Sequence, residues 1–390
     1  MVVEVHPPED TRSTEVRLRD GVPFAVAVFV VVRVVLSITG VLTVGTVPPP
    51  SDATAGGEVT AEPGWHNALD GTDRWDADWF ERIASDGYSP DDASAAFFPG
   101  YPIAIRSVAD VTRLAPWAAA TLVSNVAFIL SLVALYALTA REFDQARARR
   151  TLILLASFPA SFFFLAPYSE SLFLCATVLT FWYVRSDRWV LGSGFGVLAA
   201  LTRSVGVLLV PALAVEAWTQ GRHERGRRLA LSLLPLVALV AIGTYWVVRV
   251  GDPLRPFHAQ DSWFRTFLPF PVTIGRALIL GIRGVGDPKG AYWTADLILT
   301  GLLLVPLVLR WRVIPLPYLV YAGTTAIVIL SYPLPPRPLL SDPRFLLVVF
   351  PAFWAMADIF RGRVFVLATV AFAVGFVALS SAFMNWGFVF

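Results

Sequence analysis

The chain has 390 residues, of which 56% are hydrophobic and only 15% charged. Soluble globular chains carry about a quarter charged residues, so the composition excludes that class and points to an all-α polytopic membrane protein. The single Cys175 excludes a disulfide-stapled secreted fold. A net charge of +2, with arginines scattered through short loops, argues against a nucleic-acid partner.

In chain order, a mixed-charge segment, 1–21, precedes a first predicted span at 22–47, whose apolar run is too long for a cleavable signal peptide. A polar stretch, 48–116, separates it from a second span at 117–140. Within that stretch, residues 99–113 read as a juxtamembrane helix with Ile103, Ile105 and Val108 available to lipid. Further apolar runs follow at 151–168, 169–185, 190–218, 229–250, 293–310, 313–331, 344–360 and 364–386. Most are long enough to cross a hydrocarbon core of about 30 Å.

Five turns rich in arginine, at 141–150, 185–188, 222–228, 310–312 and 361–363, are expected on the cytoplasmic side. The stretch 48–116 holds twelve acidic residues against four arginines and is expected outside. Segment 190–218 joins two cytoplasmic turns, so it must cross an even number of times. It is predicted to be a hairpin of two short helices turning near Thr202-Arg203-Ser204, each arm about 20 Å long. Such a turn is tolerable within the membrane only if it lines a wet cavity. The expected architecture is about eleven spans, with the amino terminus inside and the carboxyl terminus outside. Residues 1–21 form the cytoplasmic segment and 22–390 one transmembrane domain. The exoplasmic loops 48–116, 251–292 and 332–343 then share one face, where function is expected.

The first outer loop interleaves carboxylates with aromatics: Asp73-Arg74-Trp75-Asp76, then Asp78-Trp79-Phe80-Glu81. That pattern suits deprotonation of a hydroxyl beside a sugar ring, or simply an interfacial aromatic belt. The second outer loop is basic, with Arg265 near Gln260 and Trp263, and could face an anion. Arg33 and Arg203 lie at membrane depth, where a charge costs about 2.5–3.5 kcal/mol and usually faces a partner or a cavity. Glu170 in Tyr168-Ser169-Glu170-Ser171 offers one partner, and snorkelling is the alternative for Arg33. Gly192-x-x-x-Gly196 reads as close helix packing. The four histidines are dispersed, so no metal ligand set is expected.

Taken together, Arg74-Trp75-Asp76 with Trp79-Phe80, Ile83-Ala84, Gly87-Tyr88 and Ala96-Phe97-Phe98-Pro99-Gly100-Tyr101-Pro102 resemble the first luminal loop of the PIG-V mannosyltransferases, members of the GT-C glycosyltransferase superfamily. The likeness continues through Phe158-Pro159-Ala160-Ser161, Tyr168-Ser169-Glu170-Ser171 and Thr202-Arg203-Ser204-Val205-Gly206. Gly251-Asp252-Pro253, His258-Ala259-Gln260, Trp263-Arg265 and Arg344-Phe345-Leu346-Leu347 complete it.

This resemblance implies a GT-C-like fold and inverting transfer of mannose. The donor would be a polyprenyl phosphate, typically dolichyl phosphate mannose, and the acceptor a glycolipid or glycan hydroxyl. An inverting displacement needs a base opposite the leaving group and cations on the departing phosphate. The expected base is Asp76, with Asp73 and Asp78 as rivals. Arg203, Arg265 and Arg344 are expected on the donor phosphate, and Arg74, Trp75, Tyr168, Glu170, Gln260 and Trp263 around the substrate. No cofactor is required, although the acidic loop can supply oxygen ligands to a divalent metal. A transporter or flippase for a lipid-linked or polar solute is the rival reading, since buried arginines and a sunken hairpin would serve it too.

Overall fold

Every regular element among the residues described by the computed structural model, 11–46, 62–285 and 291–387, is helical. Residues 1–10 of the predicted cytoplasmic segment, residue 47 of the first predicted span, 48–61 of the first predicted outer loop and Lys289 of the second lie outside the described residues. The first described element is α1 (Thr11–Thr43), followed by α2 (Asp76–Asp86) and α3 (Gly100–Thr112) in the first predicted outer loop. Next come α4 (Pro116–Glu142), α5 (Gln145–Ser157), α6 (Glu170–Arg185), α7 (Trp189–Thr202) and α8 (Leu209–Thr219). The segments α9 (Arg225–Ser232) and α10 (Leu236–Val250) are joined through a bend at Pro235. They precede the short α11 (Arg255–His258) and α12 (Phe270–Arg283) of the second outer loop. The remainder is α13 (Ala291–Leu309), α14 (Leu316–Leu330), α15 (Asp342–Phe345), α16 (Pro351–Ile359) and α17 (Gly362–Met384).

Local chemistry sets the boundaries. Pro116 and Pro351 open their helices at a position where the missing N–H is not needed. The Asp144 carboxylate caps α5 by accepting from the Arg147 backbone N at 2.7 Å.

Among the described residues, five stretches are long and apolar enough to cross a membrane alone: Gly21–Thr43, Pro116–Glu142, Arg225–Val250, Ala291–Leu309 and Gly362–Met384. The runs predicted at 151–168 and 344–360 are instead built from shorter pieces. In the first, α5 ends at Ser157 and a 3-10 turn follows over Ser161–Phe164; in the second, α15, the turn Leu346–Val348 and α16 succeed one another. Pro159 and Pro351 each lack a backbone donor, which interrupts a continuous helix. These runs are apolar because they are buried in protein: Phe162, Phe163, Phe164, Leu346, Leu347 and Phe350 have no exposed surface. Irregular backbone at that depth is tolerable when protein surrounds it.

The predicted turn within 190–218 is present. Helix α7 stops at Thr202, Arg203 is extended, and the chain returns through α8. Trp189 Nε1, at the start of α7, donates to Gln220 Oε1 just beyond α8 at 3.1 Å, so the segment begins and ends at the same end of the bundle. The Gly192 expectation also has its contact: a Cβ there would lie 2.9 Å from the Thr180 carbonyl oxygen of α6.

The five arginine-rich turns share one end. Arg141 donates to the Arg185 carbonyl and to Ser186 Oγ, Arg185 pairs with Glu142 and Glu216, and Arg228 pairs with Asp187. Asp358 gathers Arg147, Arg310 and Arg361. The three loops predicted to lie outside interlock at the opposite end, where Arg249 and Arg255 donate to the Tyr88 and Pro90 carbonyls and Arg265 donates to those of Tyr332 and Leu340.

One expectation about α3 is corrected. Ile103 is exposed, but Ile105 is wholly buried and Val108 packs against the core. Residues two apart on a helix point nearly opposite ways, so Ile103 and Ile105 cannot both face lipid.

Candidate active site

Asp76 is the first residue of α2, and its backbone is fixed from both sides. The fully buried Tyr168 hydroxyl donates to the Arg74 carbonyl at 2.7 Å and accepts from the Asp76 N–H at 3.2 Å. Trp75, directly before it, has φ +57, a conformation that non-glycine residues hold only when their surroundings impose it. The same strain precedes two other site residues: Phe264 (φ +55) comes before Arg265, and Ser341 (φ +68) opens Asp342-Pro343-Arg344. Three chain-distant loops are therefore held in costly backbone shapes where they deliver charged side chains.

Those side chains converge. Asp76 Oδ2 accepts from Arg344 Nη1 at 2.7 Å, and Arg344 Nε donates to Glu170 Oε1 at 2.7 Å. The same Glu170 oxygen accepts from Arg203 Nη1 at 2.6 Å, while Arg203 also reaches Ser169 Oγ at 3.2 Å. Phe345 lies among three guanidinium groups, with Arg203, Arg265 and Arg344 centred 5.1, 5.2 and 5.4 Å from its ring. Such cation–π contacts help keep three like charges together. Glu170 has no exposed surface, whereas the Asp76 side chain is 28% exposed and can meet a partner from outside.

Gly100 helps place the Arg203 turn. A Cβ on Gly100 would fall 2.8 Å from Thr202 Oγ1 and 2.9 Å from the Leu201 carbonyl carbon, so only glycine lets α3 approach the end of α7 this closely.

Around Phe345, three arginines face two ion-paired carboxylates, leaving one positive charge in excess. Asp342 lies nearby. It is fully buried, neither carboxylate oxygen has a hydrogen-bond partner among the described residues, and burial pushes its carboxyl well above the usual range, Arg265 opposing this only in part. Asp73, just before α2, and Glu81, within it, form a second carboxyl pair. Burial, reinforced by the adjacent Asp73, pushes Glu81 up to about 9, and burial also raises Asp73.

The other expected site residues are placed differently. Arg74 Nε donates to the Met384 carbonyl at 3.2 Å and its guanidinium lies over Trp386; the Trp75 ring meets Trp386 edge-on. Both tie the first loop to the end of α17. Gln260 Nε2 donates to the Ala96 carbonyl at 3.3 Å, and Trp263 packs on Phe97 and Trp79, joining the second outer loop to the first. Arg33 donates to the Ala68 carbonyl at 2.6 Å, an oxygen also bonded by Ser37 Oγ, so its partner is the folded-back first loop. Asp78 is exposed. Among the described residues no group of three His, Cys, Asp or Glu side chains is placed to hold a metal ion.

Phe345, Asp342 and Glu81 went unselected by sequence reasoning. Asp342 and Phe345 flank the chosen Arg344 within a Pro-containing loop, which is the signal that pointed to them. Glu81 is one of twelve acidic residues in its loop, and nothing local marks it as buried.

The helical architecture is that of the GT-C membrane glycosyltransferases. ArnT from Cupriavidus metallidurans, solved bound to undecaprenyl phosphate, shares the fold with a TM-score of 0.51 at 16% identity, over 94% of this chain and 75% of that one. Residues 25–220 match the family described as Mannosyltransferase (PIG-V), and the chain belongs to that family. GPI alpha-1,6-mannosyltransferase 2 of Mus musculus is 32% identical over 219 residues, 52% of this chain and 41% of the relative. GPI mannosyltransferase 2 of Drosophila pseudoobscura pseudoobscura is 33% identical over 120 residues, 28% of this chain and 26% of the relative. The chain thus spans less than half the length of these relatives. Asp76, Glu170 and Arg203 fall inside the family match, and Arg265 and Arg344 beyond it.

Proposed function

We propose that this protein is an inverting mannosyltransferase that moves mannose from a polyprenyl phosphate to a hydroxyl of a glycolipid or glycan. The chemistry takes place at the exoplasmic face, with the amino terminus in the cytoplasm. The observation that carries this reading is the convergence of Asp76 and three arginines around Phe345. The family's mannosyltransferase description and the undecaprenyl phosphate bound to ArnT support the sugar and the donor class.

A sugar phosphodiester carries one negative charge, equal to the excess of Arg203, Arg265 and Arg344 over Asp76 and Glu170. Asp76 takes the proton of the acceptor hydroxyl as the acceptor oxygen bonds to the anomeric carbon, and the bond from that carbon to the phosphate oxygen breaks. The departing monoester then tends toward a second negative charge. Protonation of Asp76 removes the carboxylate that Arg344 had been neutralising, so the positive excess rises to two as the phosphate needs it. Arg344 couples the base to the leaving group. Arginine suits this role because its planar fork can serve a carboxylate and a phosphate together. Glu170 holds Arg203 and Arg344 in place, and Tyr168 fixes the base.

The test is incubation of purified protein with radiolabelled polyprenyl-phosphate mannose and a panel of glycolipid and glycan acceptors. Labelled product, lost in Asp76→Asn, supports the reading. Uptake of solute into sealed vesicles without product would establish the transporter instead.

A further inference from the structure

At the end opposite the candidate active site, the arginine-rich turns differ in how their charge is balanced. Arg185 is matched by Glu142 and Glu216, Arg228 by Asp187, and Arg227 by Glu224. Asp358 alone faces three arginines from three helices: Arg147 of α5 at 3.6 Å, Arg310 just past α13, and Arg361 just before α17 at 2.6 Å. Arg150 joins them through the Ala357 carbonyl at 2.9 Å. Counting Asp144, whose carboxylate caps α5 beside Arg147, the four arginines exceed the carboxylates by two, and Arg310 Nε is buried without a hydrogen-bond partner among the described residues.

The surroundings say what could neutralise it. Asp358 lies near the end of the buried helix α16, which packs against α13 and α5, and α17 in turn packs against α5. The outward side chains next to the arginines are apolar and exposed: Val308 and Leu309 on α13, Val364 and Leu367 on α17. An apolar surface running up to a basic mouth matches an acyl chain ending in an anionic headgroup. A water-soluble anion would have no use for the apolar walls.

We propose that the Asp358 arginine cluster binds the headgroup of an anionic phospholipid, whose chains lie along α13 and α17. The lipid neutralises the excess charge and bridges the ends of α5, α13 and α17. This site is independent of the proposed glycosyl transfer.

The experiment is native mass spectrometry of the full-length protein in detergent with equal amounts of phosphatidylglycerol and phosphatidylcholine. Wild type should retain phosphatidylglycerol preferentially, and Arg310→Gln with Arg361→Gln should lower that preference about thirtyfold, the effect of two surface arginines. Arg227→Gln, at an arginine paired with its own carboxylate Glu224, should leave it unchanged. If the double variant fails to fold, Arg361→Gln alone, at an exposed side chain, should lower the preference by about fivefold to tenfold. Equal retention of both lipids by wild type, an unaltered preference in the variants, or displacement of the lipid by millimolar inorganic phosphate would each overturn the proposal.

Discussion

Replacing Asp76 by Asn separates catalysis from folding, because the two effects have different sizes in this structure. The carboxamide keeps the shape of the side chain, and the backbone N–H still reaches Tyr168. Arg344 loses one charged partner but retains Glu170 at 2.7 Å, so its guanidinium is not stranded. Asp76 is 28% exposed but Arg344 only 7%, so losing the pair should cost about 1–3 kcal/mol of stability, between an exposed pair and a fully buried one. A general base contributes about 10²–10⁴-fold to rate, equivalent to about 3–5 kcal/mol of barrier. Asp76→Asn should therefore lower mannosyl transfer by at least a hundredfold in membranes containing equal folded protein, while donor lipid still binds. Transfer is read as radiolabelled product per unit of folded protein, and folding from the melting curve in detergent. Turnover within tenfold of wild type would refute the assignment of the base, and a collapsed melting curve would refute the separation.

Other perturbations test the neighbouring parts. Glu170→Gln removes the buried carboxylate shared by Arg203 and Arg344; breaking such a pair typically costs about 3–5 kcal/mol, so this variant should melt earlier than Asp76→Asn. Comparable melting temperatures would show that Glu170 does not hold the cluster. Arg203→Lys loses the planar fork and should weaken donor binding about tenfold, measured as a rise in donor KM larger than any fall in kcat; an unchanged donor KM would remove Arg203 from the phosphate. Glu81 offers a test in pH. Its folded-state value lies at about 9, raised from an ordinary 4.5, so the folded protein holds the proton more tightly than the unfolded chain. The stability this contributes is fully present below about pH 4.5 and is lost as pH rises through about 9. Glu81→Gln should abolish that decline, and melting curves that run parallel for wild type and variant from pH 5 to 9 would contradict it.

Much of this protein was legible from its residues alone. Hydropathy separates the apolar runs from the loops, and arginine placement sorts the turns to one end because charge is costly inside a bilayer. Parity then requires the turn at Thr202-Arg203-Ser204, which the structure contains. The motifs around Asp76, Glu170, Arg203 and Arg344 were visible as loop chemistry.

Tertiary packing decided what local pattern cannot carry. Hydropathy reports that a run avoids water without saying whether lipid or protein covers it, so 151–168 and 344–360 read as spans although they are broken and buried within the bundle. Likewise, Asp73, Asp76, Asp78 and Glu81 are similar as letters. Only the folded chain sets Asp76 against Arg344, 268 positions away, and closes Glu81 onto Asp73. Charge interactions depend on distance and desolvation in space, and neither is written in the order of residues.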